Sequence, residues 1–580
     1  MSTIATIPHS SSVQAVRASH GEGVKDTIES LVVAFILAFV FRGFLVEAFV
    51  IPTGSMAPTL YGLHGTQVCP DCGWQYAYGM QQGSDRDEIM CPNCDRVCLH
   101  DEIPFHDGSR ESKCSLLPER RRRLGTLLPA VDPERLARLD FEPQSGDRIL
   151  VFKWPFDLGG NLGPVPWDVV VFKNPSDGEN NYIKRLIGVP GEVLQIIDGD
   201  IYTCPVSELP AELLRDLEKV IETKYHMMTD PPNSRKEYLD LQRDVTRRLV
   251  PHLRIRRKTE LAQKSLWHPV FHQDYLPLLP RERKPHWKRE QGEGPWSTSE
   301  PIVLFTGRDA SRQSIVFSGK DIEDYYAYNY NGSPVEQLQE VGDLRLKFVL
   351  GIEGGEGLIG LQLLRRDATF EVELAADGGV TLRRGTGSGD FEVIKSARIP
   401  RWSAGDLREV EFANVDYRVS LKVDGSLVLE TTDAEYAPSE SQLMGRGSRG
   451  GPRPGARIFA ERLDLEIRHL QLDRDVFYRN ARTSDGADWG TEGHPIYLRE
   501  GEYYVLGDNS PASQDSRLWN IVGPHLKERG DSYQHGTVTE DQLIGKAFFV
   551  YWPNGYRIHS LPVLRSFGII PNVGEMRWIR

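Results

Sequence analysis

Apolar and polar positions are distributed unevenly along this chain, and each change of pattern predicts a different kind of element. Near the start, TIESLVVAFILAFVFRGFLVEAFVIP, residues 27–52, carries polar side chains only at Thr27, Glu29, Ser30, Arg42 and Glu47, and its run from Leu31 to Phe41 is uninterrupted. A bilayer core takes about 20 helical residues. The segment therefore predicts an N-terminal transmembrane helix over 24–48, with Glu29 and Arg42 near the two interfaces and Arg42 snorkelling. A cleaved signal peptide and a buried helix are the competing readings, and Arg42, Phe44 and Leu45 are poor residues for a cleavage site. Further on, SGDRILVFK (145–153), WDVVVFKNP (167–175), YIKRLIGVPGEVL (182–194), YYVLG (503–507) and IGKAFFVYWP (544–553) are β-branched or aromatic runs bounded by Gly, Pro or Asp, the pattern of strands and turns. In AELLRDLEKVIETKY (211–225), Leu213, Leu214, Leu217, Val220 and Ile221 fall on one helical face. From residue 301 the pattern becomes alternation with Gly and Asp turns, as in LRLKFVLGI, TFEVELAADGGVTLRRG and YRVSLKVDGSLVLETTD, which predicts a β-sandwich.

These patterns make the fold mainly β. At 580 residues the chain exceeds what one hydrophobic core serves. The formal charge of −13 argues against nucleic acid as a partner, because phosphate binding needs a cationic surface. Lys25 and Arg17 before the apolar segment are offset by Glu22, Asp26 and Glu29, so charge bias alone does not orient it in a bilayer.

Candidate chemistry centres on FVIPTGSMAPTLYG, residues 49–62, which places Ser55 just after the apolar segment. No Gly-x-Ser-x-Gly elbow surrounds Ser55 and the histidines are scattered without a motif, which leaves lysine as the candidate base. A lysine must be desolvated to be neutral near pH 7. Lys184, between Tyr182, Ile183, Leu186 and Ile187, suits that demand, although a solvated lysine beside Arg185 has the same local sequence.

Three ordered boxes, IPTGSMAPTL, YIKRLIGVPGE and GDNSPASQDSR, resemble those of type I signal peptidases, the bacterial leader peptidases, which are membrane-anchored serine–lysine endopeptidases that remove secretory signal peptides. The resemblance covers about 24–62, 145–203 and 490–555. It implies Ser55 as nucleophile and Lys184 as general base, Thr53 and the Ser55 amide as oxyanion donors, and Ser513 as the hydroxyl that orients the lysine. It further implies structural charges at Arg185, Asp508, Asp515 and Arg517, and a rigid turn at Met56 and Pro58. SPASQ in the last box departs from the family's more polar run. The implied activity is hydrolysis after small residues of an A-x-A site, with Phe49, Ile51, Leu60, Tyr182 and Ile183 as candidate walls of a shallow apolar pocket. The expected partners are signal peptides of secretory preproteins and a lipid bilayer. The expected location is the inner membrane, single-pass, with the catalytic part extracytoplasmic.

Two insertions interrupt the boxes. In 63–144, CPDC (69–72) and CPNC (91–94) make a zinc-ribbon-like pair of knuckles with Cys69, Cys72, Cys91 and Cys94 as candidate ligands; two short disulfides or a redox pair are the alternatives. No cofactor is expected for the catalysis itself. Cys98, Cys114 and ERRRR (119–123) carry no motif. The second insertion divides into a charged helical part, 204–300, and the sandwich, 301–475, whose YRVSLKVDGSLVLE hairpin resembles laminin-G or concanavalin-like folds and for which a glycan or a protein is the expected ligand. GRGSRGGPRPG (445–455) reads as a loop. The expected order is thus a tail (1–23), the span (24–48), core parts at 49–62, 145–203 and 476–580, and the insertions between them. Two further readings are a membrane-anchored binding or scaffold protein with an inactive peptidase core, and a self-cleaving regulator that uses the same Ser-Lys pair.

Overall fold

The strand-like boxes, although hundreds of residues apart, assemble into one antiparallel sheet. Its order is Val46–Val50, Arg148–Phe152, Leu543–Trp552, Val169–Lys173, Asn181–Gly188, Glu502–Leu506 and Val538–Thr539, with Arg577–Trp578 also paired to Leu543–Trp552. The computed structural model describes residues 20–579 except 70, 81–87, 100–143, 154–155, 157–162, 230–234, 278–285, 332–337, 366–367, 387–389, 445–452, 481–487, 528–532, 554–555, 558–567 and 571. Cys114, ERRRR and most of the glycine-rich loop lie outside the described residues. The sheet is covered on both faces, which explains the unbroken apolar run at 169–172. Val169 and Val171 pack with Ile51, Met56, Leu60, Ile149, Val151 and Ile183, whereas Val170 and Phe172 pack with Leu186, Val505 and Trp519.

A second sheet, Arg254–Ile255, Asp200–Pro205, Glu192–Ile197 and Ile496–Leu498, adjoins the helices Ala211–Thr229 and Arg235–Leu249. Leu213, Leu217, Val220 and Ile221 of the first helix share a core with Ile196, Ile201 and Ile496, as the helical pattern requires, while Leu214 is half-buried. The sandwich is built around two long strands, Leu344–Arg365 and Gly455–Arg474, which pair along most of their length.

Two boundaries differ from the sequence expectation. The N-terminal helix runs from His20 to Val40, gives way to a π turn at Phe41–Leu45, and the chain then enters the strand Val46–Val50. Val46 pairs with Phe152 and Val50 with Arg148, and Lys153 Nζ donates to Glu47 at 3.1 Å, so residues 46–48 belong to the sheet rather than to a helix over 24–48. Among the described residues no helix is long and apolar enough to cross a membrane. The second correction concerns 204–300. His268–His272 pairs with Gly455–Arg474 and Trp287–Arg289 with Gln313–Phe317, so the sandwich sheet draws strands from before residue 301.

Candidate active site

Ser55 sits in the single turn Gly54–Met56 that follows Ile51, whose amide donates to Asp147 O and thereby ties the turn to the edge of the main sheet. Its hydroxyl faces the strand Asn181–Gly188, and Lys184 Nζ donates to Ser55 Oγ at 2.8 Å and to Ile183 O at 3.0 Å. Both side chains are buried, Ser55 at 8% and Lys184 at 4% exposure. Burial is the largest influence on Lys184. It outweighs the Asp515 and Asp508 carboxylates, and with Arg517 acting in the same sense it brings the ammonium pKa down to about 8. The Tyr182 ring lies 5.5 Å from Nζ. A neutral amine next to a buried hydroxyl is able to take its proton.

The last box holds this pair in place through two buried ion pairs. Arg185 grips Asp508 with two bonds of 2.8 and 2.7 Å and donates to Trp167 O, while Thr59 Oγ1 donates to Asp508 at 2.5 Å. Arg517 grips Asp515 with two 2.8 Å bonds and reaches Ser510 Oγ and O, and Asp515 accepts from the Gly507 amide at 3.0 Å. Asn509 then fastens the box to the nucleophile turn: its amide donates to Ser55 O at 3.1 Å and its Nδ2 to Gly54 O at 3.0 Å. This approach demands glycine at 507, where a Cβ would lie 2.5 Å from Ser55 O and 2.2 Å from Ser513 Oγ.

The other predicted site residues fall around this centre. Thr53 is exposed, with Oγ1 3.5 Å from Ser55 Oγ. Ser513 Oγ is buried beside Gly507 and makes no hydrogen bond among the described residues, to Lys184 or to any other group. Ile51, Leu60 and Ile183 share one apolar cluster with Phe49 against it, whereas Tyr182 packs beside Phe172 in the other. Met56 is fully buried in the first of these clusters, and Pro58 is half-buried. Thr59, Asn509 and Ser510 lay inside the quoted boxes without a role, and Asn329, which meets Asn509, lies in a stretch with no motif.

The cysteine knuckles form a separate centre. Sγ of Cys69 and Cys94 are 3.6 Å apart and those of Cys72 and Cys91 3.7 Å, and all four sulfurs lie within 4.8 Å of one another. A disulfide would need about 2.05 Å. The edge of a tetrahedron with Zn–S bonds of about 2.3 Å is about 3.8 Å, so the donor set fits a four-thiolate zinc site. Both knuckles close alike: Gly73 N donates to Cys69 O and Asp95 N to Cys91 O, with Gly73 and Asp95 each at positive φ.

Comparison with known proteins gives one direction. The family model described as signal peptidase, peptidase S26, matches residues 142–246 and 421–552, two stretches that include Lys184, Asp508, Asp515 and Arg517 but not Ser55. A 39-residue segment is 54% identical to signal peptidase I of Rickettsia typhi, covering 7% of this chain and 15% of that protein. A 35-residue segment is 57% identical to signal peptidase I of Rickettsia rickettsii, covering 6% and 13%. The chain thus spans well under a fifth of the length of these relatives, and the similarity points to the signal peptidase class of hydrolases. Among solved structures, the carbohydrate binding module CBM66 from Bacillus subtilis aligns at 12% identity over 32% of this chain and 95% of that one, with a TM-score of 0.22. The Caenorhabditis elegans galectin LEC-6 aligns at 15% identity over 24% and 86%, with a TM-score of 0.15.

Proposed function

We propose that this protein is a membrane-anchored serine–lysine endopeptidase that removes signal peptides from secretory proteins by hydrolysis after small residues. The observation that carries the reading is the 2.8 Å contact between Lys184 Nζ and Ser55 Oγ inside a buried site. In the proposed reaction neutral Lys184 takes the hydroxyl proton as Ser55 Oγ attacks the scissile carbonyl. The oxyanion is held by the Ser55 amide and Thr53 Oγ1, the amine product leaves with a proton, and water attacks the acyl-enzyme with Lys184 again as base. Ile51, Leu60 and Ile183, which pack in one apolar cluster with Met56 of the Ser55 turn, are the proposed walls of a shallow pocket for the small side chains beside the cut.

The helix His20–Val40, which by itself is not long and apolar enough to cross a membrane, supplies the proposed contact with the bilayer. Leu31, Phe35, Ile36, Leu37 and Phe39 expose 56 to 70% of their surface, apolar area that a bilayer would cover. Anchoring on the extracytoplasmic side of the inner membrane would hold Ser55 close to the end of a substrate's apolar segment. Cys69, Cys72, Cys91 and Cys94 would hold a zinc ion, which when bound cross-links the two knuckles and takes no part in the hydrolysis.

The test is cleavage of a synthetic signal peptide ending in Ala-x-Ala by the full chain in detergent. Wild type is expected to cut after the final alanine, and Ser55→Ala and Lys184→Ala to be silent while folded. Equal cleavage by wild type and Ser55→Ala would remove the serine from the mechanism.

A further inference from the structure

We infer that Asn329, supplied by the sandwich insertion, is a positioning residue for the nucleophile turn. The inference rests on the proposed function only for the word nucleophile; the contact itself does not depend on it. Asn329 and Asn509 face each other as a reciprocal amide pair, with Asn329 Nδ2 donating to Asn509 Oδ1 at 2.6 Å and Asn509 Nδ2 donating to Asn329 Oδ1 at 2.8 Å. The Asn509 amide has two donor hydrogens, and the second goes to Gly54 O at 3.0 Å. A flipped Asn509 would turn its oxygen toward the Gly54 carbonyl and toward the Asn329 carbonyl. The Gly54 carbonyl thus sets the Asn509 amide orientation, and Asn329 completes its hydrogen bonding and holds it against the residue before Ser55.

The segment that presents Asn329 is itself held firmly. It is a single turn, Ala327–Asn329, with Ala327 and Tyr328 buried, closed by Asn329 N donating to Tyr326 O at 2.9 Å. The Tyr328 ring stacks on Tyr326 at 5.5 Å and approaches Tyr61 at 5.8 Å. It also lies against Gly54, where any Cβ would come within 2.5 Å of its Cε1. A second tie runs parallel: Asp324 accepts from Arg479, whose amide donates to Ser510 Oγ and whose carbonyl accepts from Arg517. The sandwich thus grips the last box at Asn509 and at Ser510 and, through Asn509, the turn that carries Ser55.

Losing the pair leaves the ion pairs, Lys184 and the apolar walls in place. Asn329→Ala should then lower kcat by about ten-fold, the equivalent of one well-placed hydrogen bond, with KM little changed. Asn329→Asp keeps the acceptor for Asn509 Nδ2 but sets a carboxylate oxygen against Asn509 Oδ1, and should not restore the rate. The measurements use the full chain in detergent, with peptide cleavage, thermal denaturation and residue-resolved hydrogen exchange on each variant. The exchange readout concerns the Asn509 amide, bonded to Ser55 O, and the Ala57 amide, bonded to Gly54 O; both should exchange at least about ten-fold faster in Asn329→Ala at unchanged global stability. Unchanged protection at both amides, or a kcat equal to wild type at equal folded fraction, would overturn the inference. If wild type itself does not cut the peptide, the proposed function fails, and the exchange result alone decides whether Asn329 positions the turn.

Discussion

Lys184 gains its chemistry from what surrounds it. With the ammonium pKa brought to about 8 by burial, the fraction of neutral amine grows as pH rises through that value. kcat/KM for peptide cleavage is therefore expected to rise toward a plateau above it, and a profile flat between pH 6 and 9 would exclude Lys184 as base. Stability follows with a definite sign. A base whose folded pKa lies below its ordinary value of 10.5 binds its proton less well folded than unfolded. Its penalty is complete below about 8 and fades as pH climbs to 10.5. Lys184→Met, which removes the buried charge, is expected to raise unfolding free energy at pH 7 by about 1–3 kcal/mol, with the gain shrinking at alkaline pH. Denaturant titration at the two pH values reads this directly. At this scale the sequence was informative for Ser55 and Lys184, because each lies in a short motif whose neighbours belong to the same strand or turn. Asn329 was silent because its meaning depends on Asn509, which reaches it only through folding.

The knuckles and the N-terminal segment show what a local pattern does and does not convey. Cys-x-x-Cys fixes a tight turn, so two such turns foretell a cluster, and the sulfurs do converge. Replacing Cys69 and Cys91 by Ser is expected to abolish bound zinc as measured by mass spectrometry on purified protein. It should also loosen the hairpin His64–Val68 with Gln75–Gly79. Metal content equal to wild type would rule out this site. The apolar segment was harder to divide. A continuous apolar run suits a helix in lipid and a buried or paired strand equally, and composition does not mark where one becomes the other. The pairing of Val46–Val50 with Arg148–Phe152 makes that choice, by satisfying backbone groups through a partner a hundred residues away.

Across the whole molecule the insertions prove continuous with the candidate site. The Cys-rich hairpins dock on the sandwich through Asn93, which donates to Tyr275 O and accepts from the His272 amide, and through Lys320, which reaches Pro92 O and Asp95. The sandwich in turn meets the last box through Asn329 and Asp324. Deleting 301–440 is accordingly expected to cost most or all cleavage activity in a folded remainder, measured with the same synthetic peptide. Full activity in that deletion would show the sandwich to be a passive appendage.

The amino-acid sequence by itself determined the mainly β character, the amphipathic helix at 211–225, the candidate serine and lysine and the four-cysteine pattern, because each is encoded by neighbours along the chain. Only the tertiary structure decided where the N-terminal helix yields to a strand, where the sandwich sheet begins, which carboxylates share the lysine's buried surroundings, and that an insertion steadies the turn bearing Ser55. Each of these depends on contacts between residues far apart in the chain, and a local pattern holds no information about which distant partner will satisfy a given backbone or side-chain group.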